Sequence, residues 1–174
     1  MRPDFSHKIP IGDTKLRRTC NICNFIDYVN PKIVTGCIVT LDEKILLCKR
    51  AIEPRSGFWT LPAGFLEEGE SVEAGAMRET LEEANAKIEI DRLLAVYSVP
   101  RISQVQIMYR AKLISDFSPG PESLEVALFD WKDIPWQDLA FPTVIWALTH
   151  YAKTRHLQDF APFSNPPGTE RLTL

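Results

Sequence analysis

Three glutamates, Glu79, Glu82 and Glu83, stand three and four positions apart in GFLEEGESVEAGAMRETLEEANA, residues 64–86. On a helix that spacing places them on one face, over about a third of the circumference. Like charges so arranged destabilise a helix by roughly a few tenths of a kcal/mol per pair. No relieving basic partner is expected from the spacing, so the cluster costs stability unless a cation binds. Carboxylates are hard oxygen donors. They suit Mg²⁺ or Mn²⁺, which keep several waters and take substrate phosphates as further ligands. The candidate metal ligands are Glu79, Glu82, Glu83 and the Ala63 carbonyl, brought near by a strained turn at Gly64. Glu70 and Arg78 form a supporting pair, the arginine holding one carboxylate in its productive rotamer.

The helix that must carry these groups has local start and stop signals. Ser71 is a good N-cap, Glu73 suits the first turn, and Asn85 can take the left-handed position after Ala84. Val72, Ala76, Met77, Thr80 and Leu81 are the expected buried side. Lys32–Leu41 and Lys44–Arg50 read as a hairpin turned at Asp42-Glu43. Residues 53–63, EPRSGFWTLPA, read as a structured loop with a short strand around Trp59. Lys87–Val99, bent near Asp91, and Val105–Ile114 and Leu124–Trp131 are further strands. Asp133–Leu139 reads as a short turn or helix. Pro142–His156 is the second long helix, with Val144, Ile145, Leu148 and Tyr151 on one face. The Pro-rich residues 157–174 are expected to wrap the surface or stay loose. Mixed strands with two separated helices imply one α/β/α or α+β layer domain.

Composition sets the outer bounds. The chain has 174 residues, 45% hydrophobic and 25% charged, with a formal net charge of −3, which fits one globular domain with a sizeable core. No Lys/Arg cluster suggests a nucleic-acid surface. No apolar run nears the roughly 20 residues of a membrane span. The opening segment lacks an apolar leader, so a cytoplasmic location is the default expectation. Residues 1–31 read as a polar arm with turn signals at Pro10, Gly12 and Asn30-Pro31. Cys37 and Cys48 lie in apolar strands and read as buried. Cys20 and Cys23 form a C-x-x-C pair, which is half of a zinc site, a redox pair, or two reduced thiols in a turn. A closed zinc site takes four ligands.

Residues 64–86 resemble the Nudix box, G-x5-E-x7-R-E-U-x-E-E-x-G-U, where U is a bulky apolar residue. Gly64, Glu70, Arg78, Glu79, Glu82 and Glu83 fall on its charged and first-glycine positions, while Thr80 and Asn85 depart from it. The resemblance implies a Nudix α/β/α sandwich of the α+β class, with a mixed sheet between helices, over residues 32–156. A tail at 157–174 follows it. Residues 30–71, the PGPESLEVALF stretch and the preceding C-x-x-C together are similar to ADP-ribose/FAD pyrophosphatases that carry an N-terminal zinc ribbon with two C-x-x-C pairs. Only the second pair, Cys20 and Cys23, is present, so residues 1–31 read as a remnant of the ribbon, with structural Zn²⁺ as a second cofactor to consider.

The family implies hydrolysis of a nucleoside diphosphate linked to another group, with Mg²⁺ or Mn²⁺. The implied substrate is ADP-ribose or FAD, releasing AMP, and the implied assembly is a homodimer. Glu125 matches a glutamate that relatives place near the metals and is the first candidate for general base, with Glu122 second. Trp59, Phe65 and Tyr97 are candidates to stack on adenine, and Arg50 and Arg101 to meet phosphates or a ribose-linked group. No SQPWPFPxS-like segment follows the box, which speaks against an NADH pyrophosphatase. The competing expectations are a house-cleaning enzyme for damaged nucleoside triphosphates and a non-catalytic nucleotide sensor.

Overall fold

The computed structural model describes residues 4–169, in two compact units that divide between Pro31 and Lys32. The first unit is folded, unlike the arm expected. Strands β1 (Phe5–Lys8), β2 (Arg17–Cys20) and β3 (Ile26–Asp27) form an antiparallel sheet in that order. Asp13 organises the β1–β2 connection, accepting from the Thr14 and Lys15 amides and, at 2.8 Å, from Arg17 Nε. These strands are short and polar. Only Thr19 and Cys20 among their residues are buried, so no apolar alternation marks them in the sequence.

The second unit begins with the expected hairpin, β4 (Lys32–Leu41) and β5 (Lys44–Arg50). Its turn residues Asp42 and Glu43 both have positive φ, 47° and 66°, the geometry whose twist matches a two-residue hairpin. Only Thr40↔Ile45 and Leu41↔Lys44 pair across it. Beyond them the strands splay, and the returning chain fills the gap. β6 (Trp59–Thr60) pairs β5, and β7 (Ala63–Phe65) pairs β4. β8 (Ile88–Val99) lies antiparallel to β9 (Gln104–Leu113), which runs parallel to β4. β10 (Ser123–Phe129) pairs β5, giving the order β10-β5-β4-β9-β8 in a mixed seven-stranded sheet. The expected bend in β8 is a register shift between Ile90 and Arg92.

Strand alternation divides the interior between the helices α1 (Val72–Ala84) and α2 (Pro142–Thr154). Cys37, Val39, Leu46 and Cys48 pack with Ala76 and Ala84 of α1. Ile38, Ile45 and Leu47 pack with Val144, Trp146, Ala147, Leu148 and Tyr151 of α2. The architecture is therefore a mixed sheet between two helices, of the α+β class. Both strand cysteines are buried, and burial pushes the Cys37 thiol up to about 12. On α2 the expected face needs one correction. Ile145 is 40% exposed, because it is one residue from Val144 and so points about 100° away from it.

The tail wraps the sheet. Phe163 exchanges backbone hydrogen bonds with the edge strand β8, its carbonyl accepting from Val96 N–H and its amide donating to Leu94 O, both at 2.9 Å. Asn165 continues the contact on both backbone groups of Ser98 at 2.8 Å. An otherwise open edge is thereby covered. The Phe163 ring stacks on His150 at 4.2 Å, and His150 Nδ1 meets the fully buried Tyr97 hydroxyl at 2.7 Å. Tyr97→Phe leaves a buried ring nitrogen without that partner. It should lower the unfolding free energy by about 1–2 kcal/mol in urea titration.

Candidate active site

Helix α1 forms between the signals its sequence carries. Ser71 Oγ accepts from Ala74 N–H at 3.2 Å. Asn85, at φ 47°, closes the helix with its amide on Leu81 O. The face it buries keeps Ala76 and Thr80 of the expected residues but not Met77 and Leu81. Met77 and Leu81 are 41% and 47% exposed, whereas Glu79 and Glu83 are buried. The side turned to the sheet is Gly75, Ala76, Glu79, Thr80, Glu83 and Ala84. Thr80, at a box position that is usually apolar, satisfies its hydroxyl by donating to Ala76 O at 2.9 Å.

The charge cluster is held by one arginine. Arg78 Nε and Nη2 donate to the two oxygens of Glu70 at 3.1 and 2.7 Å. Its Nη2 also reaches Phe65 O at 2.8 Å. Nη1 bridges Glu79 at 2.8 Å and Glu82 at 3.0 Å. The expectation that no base relieves the glutamates is therefore wrong. Arg78 is adjacent to Glu79 and four residues before Glu82, a spacing that brings side chains together. The Arg78 bonds, with the Glu67 amide, hold the Glu70 carboxyl below its usual range.

Strand β7 supplies the other wall. Gly64 is not a strained turn but a strand residue paired with Thr35. What it supplies is room, since a Cβ there would run into the Glu79 carboxylate. The Ala63 group bonded to the cluster is its N–H, which donates to Glu83 Oε2 at 3.1 Å. Burial lifts Glu83 to about 8 against that hydrogen bond, and the Glu79 charge adds to the rise. Burial also raises Glu79, opposed by Arg78.

The oxygen donor set fits a hard divalent ion, with Glu79 and Glu83 as buried carboxylates that lack enough donors to be at ease as anions. Among the described residues no three such side chains already converge as ligands, and Arg78 Nη1 stands between Glu79 and Glu82.

These groups open onto a cleft of about 1120 Å³. Of the sequence candidates, Arg50, Phe65 and Arg101 line it, with Glu79, Glu82 and Glu83. Trp59 does not. It is 8% exposed and packs edge-on against Phe129 at 4.9 Å. Tyr97 is equally removed, in the α2-side core. Glu125 points elsewhere and pairs with Lys49 Nζ at 3.8 Å. Glu122, the second choice, lines the cleft, and its charge contributes to raising both Glu79 and Glu83. Sequence reading missed Arg55 and Phe141. Both line the cleft, and Phe141 lies 5.2 Å from the Arg50 guanidinium. Nothing local in the sequence links positions 50 and 141.

In the first unit, the Ile22 and Cys23 amides bond the Cys20 sulfur and lower its thiol pKa. Cys20 is buried and Cys23 exposed. They offer two of the four donors that a closed zinc site requires.

The raised Glu83 carboxyl fixes a sign. Between the unfolded value near 4.5 and the folded value of about 8, the folded chain binds more protons than the unfolded one. Metal-free stability must therefore fall as pH rises through that window. Glu83→Gln should remove on the order of 2–4 kcal/mol of this fall between pH 5 and 8. Urea midpoints measured in chelator for both proteins give the difference in slope.

A NUDIX domain model matches residues 30–148. A NUDIX hydrolase of known crystal structure from Nitrosomonas europaea is 52% identical, with a TM-score of 0.88 over 93% of both chains. An ADP-ribose pyrophosphatase of Methanocaldococcus jannaschii is 34% identical over 113 residues, 62% of this chain and 67% of that protein. The NAD-capped RNA hydrolase NudC of Photorhabdus laumondii is 29% identical over 117 residues, 64% of this chain and 43% of that one. This chain thus spans less than half the length of that last relative. With the domain match covering most of the chain and the glutamate helix seated in its cleft, the chain belongs to the Nudix hydrolase family.

Proposed function

We propose that the chain hydrolyses the pyrophosphate bond of a nucleoside diphosphate linked to another group, with ADP-ribose or FAD as substrate and AMP as one product. The observation that carries this is the placement of Glu79, Glu83 and Glu122 in one cleft with Arg50, Arg55 and Arg101. Carboxylates and arginines in one cavity suit a ligand that is anionic and arrives with cations. The similarity to an ADP-ribose pyrophosphatase supports the substrate class. All of the cleft's lining residues fall within residues 32–156, the proposed catalytic domain.

Glu79 and Glu83 would hold Mg²⁺ or Mn²⁺, with Glu82 and the Ala63 carbonyl beside them. Bound there, the ion supplies charge neutralisation of the phosphates and acidifies a water. The protein does the rest. Arg78, fixed by Glu70, keeps the Glu79 and Glu82 carboxylates aimed into the cleft. Glu122 takes a proton from the attacking water as its oxygen bonds to phosphorus. The bond from phosphorus to the bridging oxygen breaks, and the leaving phosphate takes the electron pair. Arg50, Arg55 and Arg101 meet phosphate oxygens, and Phe65 and Phe141 offer faces for the base.

Hydrolysis of ADP-ribose, FAD, NADH and a nucleoside triphosphate with Mg²⁺ or Mn²⁺, resolved by chromatography, tests the reading. AMP should form from ADP-ribose or FAD. Glu83→Gln and Glu122→Gln should each cost about 10²-fold or more in kcat, while Glu125→Gln should stay within about twofold, as a surface pair should. Release of pyrophosphate from the triphosphate alone would select the house-cleaning activity instead. Cleavage of NADH alone would overturn the assignment of ADP-ribose or FAD as substrate.

A further inference from the structure

Where the family box carries glycine after the helix, this chain has Asn85. Its left-handed backbone explains why glycine or asparagine can stand there. It does not explain what the asparagine side chain does. Asn85 Nδ2 donates to Pro119 O at 2.9 Å, to Ser118 Oγ at 3.2 Å and, more weakly, to Ser118 O at 3.4 Å. A helix C-terminus and a loop more than thirty residues away are tied by one amide.

Backbone bonds converge on the same junction. Ser118 N–H donates to Ala84 O at 2.9 Å, and Gly120 N–H donates to Glu83 O at 3.0 Å. The loop thus satisfies the last carbonyls of α1, which a helix leaves without partners. Gly120 sits so close that a Cβ would run into the Glu82 carbonyl. Two residues later comes Glu122, whose carbonyl accepts from Ala51 N–H at 2.8 Å. The far end of the loop is therefore anchored to the exit of β5, and the near end to α1 by the Ser118 and Gly120 amides and by the Asn85 side chain. Asn85, Pro121 and Glu122 all line the cleft with Glu79 and Glu83.

We infer that Asn85 is a positioning residue, clamping Ser118–Glu122 to the end of α1 so that the Glu122 carboxylate stays over the Glu79/Glu83 pair. The inference rests on the proposed role of Glu122 as base. The clamp works through donors, so side-chain size alone does not reproduce it. A helix ended by glycine at this position would leave the Pro119 and Ser118 acceptors to water and let the loop shift. A shift of about 1 Å at a general base is enough to cost a large factor in rate.

The test compares Asn85→Gly and Asn85→Asp with the wild-type chain. Both substitutes tolerate the left-handed backbone, and glycine does so best, so each should fold, as thermal melts will show. Amide hydrogen exchange at Ser118 and Gly120 should quicken about tenfold or more in Asn85→Gly. With ADP-ribose and saturating metal, kcat should fall about tenfold, with KM within about twofold. Asn85→Asp keeps the size but has no donor, so it should lose at least as much. In a Glu122→Gln background, Asn85→Gly should add less than about a twofold loss, since the two act through one group. Unchanged amide exchange overturns the clamp. Wild-type kcat in Asn85→Gly or Asn85→Asp, or an undiminished penalty in the Glu122→Gln background, overturns the positioning role. Wild-type kcat in Glu122→Gln alone sinks the base assignment instead, while amide exchange in Asn85→Gly still decides for or against the clamp on its own.

Discussion

Two carboxylates on the core-facing side of one helix constrain everything around them. Glu79 and Glu83 are 9% and 7% exposed. Buried anions are costly unless partnered, and what accommodates them comes from two sources, strand β7 and Arg78. Strand β7 gives the Ala63 amide to Glu83. Gly64 gives space to Glu79. Arg78 gives one guanidinium nitrogen to Glu79 and Glu82, while its other donors are fixed by Glu70 and Phe65 O. The contributions of β7 depend on that strand reaching the helix, and it pairs β4 where the β4–β5 hairpin has splayed after two residue pairs. The irregular part of the sheet is therefore what builds the site.

The two faces of the sheet divide the labour. Under α1 the helix contributes small residues, Gly75, Ala76 and Ala84, and Cys37, Val39 and Cys48 of the strands pack there beside the larger Leu46 and Tyr109. Small side chains bring the helix near enough for carboxylates to meet strand backbone. Under α2 the core is built from large rings, Trp59, Tyr97, Trp146 and Tyr151, closed by Phe163 of the tail. Large aromatic side chains bury the most area per residue and carry much of the hydrophobic stabilisation. The α2 side can therefore offset what the α1 side loses by holding charge in its core.

Local grammar is legible in the sequence and long-range geometry is not. Ser71 and Asn85 delimit α1 because capping depends on neighbouring residues alone. The β-branched and apolar content that marks β4 and β5 is equally local. The buried face of α1 escapes such a reading because apolar character ranks Leu81 and Met77 above Glu79 and Glu83, and only β7 makes the polar face the inner one. Trp59 misleads in the opposite sense, as a ring open to a ligand by its type when it is core. Glu122 and Glu125 cannot be separated by pattern. A register shift between Ser123 and Glu125 leaves Leu124 outside the pairing and 58% exposed. Such a bulge changes which carboxylate faces inward without any mark in composition. The strands of the first unit and the Phe163 pairing of the tail stay hidden because two to four polar residues carry no period.

The Arg78 geometry sets how the cluster can respond to a cation. Its guanidinium has two ends with different attachments. Nε and Nη2 are committed to Glu70 and the Phe65 carbonyl, whereas Nη1 alone serves Glu79 and Glu82. A divalent ion held as proposed, by Glu79 and Glu83 with Glu82 beside them, would compete with one nitrogen, not with the whole side chain. Arginine can yield that bond and keep its anchor, because its fork is rigid and its other donors are already spent. A lysine could not, having a single point charge to give to either side. Glu70 thus matters more than its distance from the helix suggests. On the proposed metal reading it would hold the arginine in place, so that the carboxylates, relieved of one cation and given another, would stay aimed at the cleft.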